Sequence, residues 1–106
     1  MNKAETFERA VNTNAFNYVY ERDLKPNETV LLKMPSVSAN KRGFNDVGWQ
    51  ASGSVDLYGT LETKPDIDYG MWQQIMPYDE INKTISFLKI VNGSEACSIV
   101  IRALLN

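Results

Sequence analysis

Histidine is absent from the 106 residues and cysteine occurs once. The first absence removes the usual general base near neutral pH, most zinc sites and the serine triad. The second excludes an internal disulfide, and Cys97, set in an apolar run, reads as a small buried hydrophobe rather than a reactive thiol. No glycine-rich phosphate loop is present. The nearest approach, Gly53-Ser54, lies inside a strand pattern with no helix to follow it. A basic stripe is missing as well: 11 basic residues stand against 13 acidic ones, net charge −2. The only adjacent basic pair is Lys41-Arg42, which argues against nucleic acid as a partner. No apolar run approaches the ~20 residues of a membrane-spanning helix. The opening Met1-Asn2-Lys3-Ala4-Glu5-Thr6 carries no apolar signal core. The expectation is a chain made in a cytoplasm, with no secretion address and no membrane contact. Three sequons, at Asn27, Asn82 and Asn92, read as chance in an Asn-rich chain.

Carboxylates remain the one route to acid–base chemistry. Glu62, Asp66, Asp68, Asp79 and Glu80 are the candidates, and in a small β domain such residues serve turns and solvated loops. Asp66-Ile67-Asp68-Tyr69-Gly70 resembles the opening of an EF-hand loop. The pattern fails beyond Gly70, where Met71 stands and no closing Glu follows at the required distance. This segment reads as a polar turn before Trp72. No catalytic residue, metal, cofactor or small-molecule substrate is expected.

The hydrophobic fraction, 43%, is enough for a folded core and argues against disorder. The length fits one domain, divided as an arm or short helix over 1–14 and a β-sandwich over 15–106. Helix is confined to Lys3–Asn12, where Phe7, Ala10 and Val11 have helical spacing, and to a turn near 67–75. Phe16, Tyr18 and Tyr20 then alternate as an aromatic strand face, Lys25-Pro26-Asn27-Glu28 reads as a turn, and Thr29–Met34 as a short strand. Residues 36–48 are polar, a long loop or exposed hairpin tip. Val47–Leu61 follows as one long strand with Trp49, Ala51, Gly53, Val55 and Leu57 on a shared face, and bends or bulges at Gly53 and Gly59.

Thr84–Val91 and Ala96–Leu105 are apolar strands around Asn92-Gly93-Ser94-Glu95, a hairpin signal. Two registers fit: Leu88 beside Ile99 with Ile90 beside Cys97, or Phe87 beside Ile99 with Ile85 beside Ile101. Both faces are apolar. Either the strand is central and covered on both sides, or its second face meets another subunit. Ile85, Phe87, Val100, Arg102 and Leu104 are therefore the candidate interface residues of a homo-oligomer. The aromatics Tyr58, Tyr69, Trp72 and Tyr78, mixed with Asp, Asn and Gln, form an alternative glycan-binding set, since sugars stack on such rings. The same residue types serve cores and protein interfaces, and Trp72 is expected as an anchor between the sheets.

Leu57-Tyr58-Gly59-Thr60-Leu61, Met71-Trp72-Gln73-Gln74-Ile75, Asp79-Glu80-Ile81-Asn82 and the terminal Arg102-Ala103-Leu104-Leu105-Asn106 together resemble a group of small virion-associated proteins of tailed bacteriophages. The resemblance covers residues 50–106. It implies an all-β, jelly-roll-like sandwich that decorates heads or joins head, neck and tail components. It also implies homo-oligomers in contact with other virion proteins, no enzymatic residues, and a virion location. A carbohydrate-binding β-sandwich module is the alternative.

Overall fold

A computed structural model describes residues 4–9, 18–34, 44–77 and 85–105. Their strands are β1 (Glu5–Thr6), β2 (Glu8–Arg9), β3 (Tyr18–Leu24), β4 (Thr29–Lys33), β5 (Phe44–Ala51), β6 (Val55–Thr60), β7 (Gln73–Ile75), β8 (Phe87–Asn92) and β9 (Cys97–Leu105). No helix occurs among the described residues, so the helix considered for Lys3–Asn12 is replaced over residues 4–9 by two short strands. Sheet A has the order β1-β4-β8-β6-β7 and sheet B the order β2-β3-β9-β5.

Strict alternation gives each strand one buried side. In β8, Leu88, Ile90 and Asn92 point inward while Phe87, Lys89 and Val91 are half-exposed. In β9, Ile99, Ile101 and Ala103 are buried, against an exposed Arg102 and a half-buried Val100. These side chains meet Leu24, Leu32, Leu57, Val30, Trp49 and Ile75 in one core between the sheets. Each such aliphatic side chain contributes about 1.5–3 kcal/mol when fully buried.

The chain enters sheet B with β3, sheet A with β4, sheet B with β5 and sheet A with β6 and β7. It returns by β8 in A and β9 in B. The pairs β3–β9, β4–β8 and β6–β7 are antiparallel and nested. This double-wound path is jelly-roll connectivity, the all-β sandwich that the sequence pattern implies.

Two expectations are corrected by this path. Thr84–Val91 and Ala96–Leu105 do not form a hairpin: β8 lies between β4 and β6, β9 lies between β3 and β5, and Gly93–Ala96 carries the chain across from one sheet to the other. Both strands are central, which accounts for their apolar composition. Likewise Val47–Leu61 is not one strand. It breaks at Ser52-Gly53-Ser54, with β5 in sheet B and β6 in sheet A. Gly53 does mark the bend, where a Cβ would stand 2.9 Å from Cys97 Cβ. Gly59 marks no bulge. It sits in a regular ladder, and the space above it is filled by Ile75, whose Cδ1 would lie 2.8 Å from an added Cβ.

The third crossing of this kind is Lys25–Glu28, a hydrogen-bonded turn with Glu28 N–H donating to Lys25 O (3.1 Å). Asn27 there has φ 59°, which Asn tolerates better than most residues. The three crossings stack. Asn27 N–H donates to Gly93 O (2.7 Å), Asn92 N–H to Glu28 O (2.8 Å) and Gly93 N–H to Ser54 O (3.0 Å). At the centre Asn92 is buried. Its Nδ2 donates to Lys25 O (2.8 Å) and Glu95 O (2.9 Å), while its Oδ1 accepts from Gly93 N–H (2.9 Å) and Cys97 S–H (3.2 Å).

A second polar cluster closes the side of the sandwich. Arg22 falls in the inward phase of β3 with Tyr20 and Leu24. Its Nε pairs with Glu5 Oε1 (3.2 Å) and its Nη2 with Glu28 Oε2 (2.9 Å). Glu5 Oε1 also accepts from Tyr20 Oη (2.8 Å), and the Phe7 ring lies 6.0 Å from that of Tyr20. Residues 5–9 are thereby tied to the edges of both sheets, β1 parallel to β4 and β2 antiparallel to β3.

Two expected outcomes follow from these clusters. Asn92→Ala strands two carbonyls and removes an acceptor in a buried corner, and should cost about 2–4 kcal/mol. An unchanged urea midpoint would remove that corner from its structural role. In the side cluster, burial and then the bond to Glu5 raise the Tyr20 hydroxyl above its ordinary range. That contribution is present below pH ~10 and is lost as pH rises beyond it. Glu28 is held below the usual carboxylate range, chiefly by the Lys25 N–H and then by Arg22. Its contribution is present above pH ~4.5 and is lost as pH falls. Thermal midpoints measured against pH should fall at both ends, with Tyr20→Phe flattening the alkaline limb and Glu28→Gln the acid one.

Candidate functional site

Between β6 and β7 the chain makes a long excursion over the outer face of sheet A. Tyr58 on β6 and Lys89 on β8 are directly opposite one another across the ladder, and Gln74 on β7 faces Tyr58 from the other side. Their neighbours Leu57, Leu88 and Ile90 point into the core, so this row faces outward. The Lys89 ammonium stands 5.1 Å from the Tyr58 ring centre and 4.9 Å from that of Trp72, and donates to Ile67 O (2.9 Å). A cation held over two rings and a carbonyl latches the excursion to the sheet. Each ring contact contributes about 0.5–2 kcal/mol, depending on how much water is excluded.

Inside the excursion a tight turn forms on Asp66. Its Oδ1 accepts from Asp68 N–H (2.8 Å) and Tyr69 N–H (3.0 Å), an Asx-type arrangement that holds the carboxyl below its ordinary range. Asp66 O accepts from Gly70 N–H and from Trp72 Nε1–H, both at 2.9 Å. This is the polar turn expected for Asp66–Gly70. Among the described residues no three Asp, Glu, Cys or His stand together as metal ligands.

Trp72 is not an anchor between the sheets. It lies half-buried on the outer face of sheet A, and the tryptophan in the core is Trp49. The reason is local: Gly70 and Asp66 fold the chain back over the outer surface before β7 begins, so Trp72 reaches Lys89 and the core side of β7 falls to Ile75.

The tip of this excursion faces solvent. Tyr69 is 89% exposed and Met71 80%, with Leu61 at 56% and Met76 at 53%. Among the residues whose side-chain burial is described these are the exposed large hydrophobics, and they fall within residues 61–76. Exposed apolar residues scattered singly are the norm on protein surfaces, whereas here they are close together in sequence.

Of the glycan set, Tyr58 and Trp72 share their ring faces with Lys89, Tyr69 is open, and Tyr78 lies outside the described residues. The five candidate interface residues do not make one surface. Ile85 is in the core, against Gly59 and Leu88. Phe87 is half-buried on the outer side of sheet A, and Val100 and Arg102 lie on the outer side of sheet B. Leu104 is in β9, its side chain outside the described set. Lys89, which organises the site, gave no motif in the sequence. Its only signal is a lone charge at an outward position of an apolar strand.

No protein-family model matches the chain, and no match was found among curated proteins or solved structures.

The latch has a direct check. Lys89→Met keeps the stem and removes the ammonium, and should lower unfolding stability by about 1–2 kcal/mol. It should also raise acrylamide quenching of Trp72, measured in a Trp49→Phe background. Unchanged quenching would mean that Lys89 does not hold the loop.

Proposed function

We propose that this chain is a non-enzymatic structural subunit of a tailed-bacteriophage virion, joined into a larger assembly through residues 61–76. The observation that carries the reading is that, among the residues whose burial is described, the exposed large apolar side chains fall in this segment, presented by a turn that Asp66 braces and Lys89 latches. A braced loop loses little freedom on docking, and lost freedom is the main cost of association. Burying Tyr69 and Met71 supplies about 1.5–3 kcal/mol each. The jelly-roll path supports the reading as an architecture of capsid domains, although lectin domains use it too. The resemblance over residues 50–106 supports it further, because one of its motifs, Leu57–Leu61, leads into this segment and another, Met71–Ile75, lies within it.

The test is mass spectrometry of purified virions of the phage that encodes the chain. A fixed copy number is expected, with Tyr69→Ala plus Met71→Ser reducing incorporation at least about tenfold. Absence from virions, or full incorporation of the double variant, would overturn the proposal. Glycan binding that Tyr69→Ala abolishes would put the carbohydrate-binding module in its place.

A further inference from the structure

On the opposite side of the molecule, the outer face of sheet B has a hollow of about 490 Å³. Among the described residues it is lined by residues 48–51 of β5, Val100 and Arg102 of β9, and Pro77. Gly48 stands opposite Arg102 in the β5–β9 ladder and, lacking a side chain, adds none beside that arginine. Arg102 is exposed, is the only charged residue among those lining the hollow, and has no ion pair or hydrogen bond among the described residues. The site thus sets Val100 and Pro77 beside the positive charge of Arg102, and its size is in the range of small binding sites, roughly 300–1,000 Å³.

We infer that copies of this chain associate head to tail, the Tyr69–Met71 tip of one seated in the Gly48–Arg102 hollow of the next. This rests on the proposal that the 61–76 loop is the docking surface, and it names the partner. The tip is apolar and flanked by Asp66 and Asp68, both exposed, while the hollow offers Val100 and Pro77 beside Arg102. Charge and polarity are therefore complementary. The two features project from opposite sheets, so they cannot meet within one molecule. A contact between different patches on identical chains is heterologous and propagates into a ring or a stack.

Sedimentation of purified protein tests this directly. The wild type should form oligomers at concentrations up to about 100 μM, the range in which even a weak specific interface is populated. A tip variant, Tyr69→Ala with Met71→Ser, should stay monomeric, and so should a hollow variant, Arg102→Glu. Mixed one to one, they should give a dimer and nothing larger, because one retains a working hollow and the other a working tip. Arg102→Glu combined with Asp68→Arg in one chain should regain assembly. The altered positions are exposed, and unchanged circular dichroism melts will verify folding. A monomeric wild type, single variants that assemble like the wild type, or a mixture that stays monomeric would each overturn the inference. A monomeric wild type whose tip variant is nevertheless lost from virions would leave the proposed function standing while this inference falls.

Discussion

The buried carboxamide of Asn92 sits where three chain crossings between the sheets come together. It bonds the turn at Lys25, the crossing at Gly93–Glu95 and the thiol of Cys97. An amide suits this place because it donates and accepts at once, and in a buried corner every backbone group left unpaired costs free energy. With the crossings stacked, β3, β5 and β9 are delivered to one sheet and β4, β6 and β8 to the other, each in register. The core, the latched loop on sheet A and the hollow on sheet B all depend on that delivery.

Much of the strand content is legible in the sequence. Of the alternation at Phe16, Tyr18 and Tyr20, Phe16 lies outside the described residues and the two tyrosines fall in β3; Leu88 and Ile90 fall in β8, and the turn at Pro26-Asn27 is where the composition puts it. Sheet membership is not legible. Asn-Gly followed by polar residues announces that the chain changes direction, but it does not say whether the next strand pairs with the last or crosses to the facing sheet. Here β8 and β9 each have two better neighbours, and the apolar character of both strands reflects this centrality. A glycine inside a strand pattern is ambiguous in the same way: Gly53 is a crossing and Gly59 a packing vacancy filled by Ile75.

The candidate site was half legible. Aromatics in a polar loop pointed to residues 58–72, but which ring would be open was decided by Lys89, a residue 17 positions or more away in sequence from Trp72 and Tyr58. Arg22 was similarly hidden, although its phase with Tyr20 and Leu24 predicts an inward charge that needs partners. Those partners, Glu5 and Glu28, come from different strand connections, and local pattern carries no information about such pairings.

The position of β9 also governs how the molecule comes into being. In sheet B, β3 and β5 are not neighbours; β9, the last strand in chain order, is the wedge between them. Until residues 97–105 are available, β5 has no ladder partner among the described strands and β3 has only the two residues of β2. Sheet A can assemble its β4, β8 and β6 earlier, but its inner face then has nothing to cover it. A chain emerging from the ribosome therefore carries an open apolar surface until residues 97–105 are released, and completes sheet B only then. Pairings that join residue 18 to residue 103 make that step slow by nature, and the interval before it is the period in which the nascent chain is most exposed to aggregation.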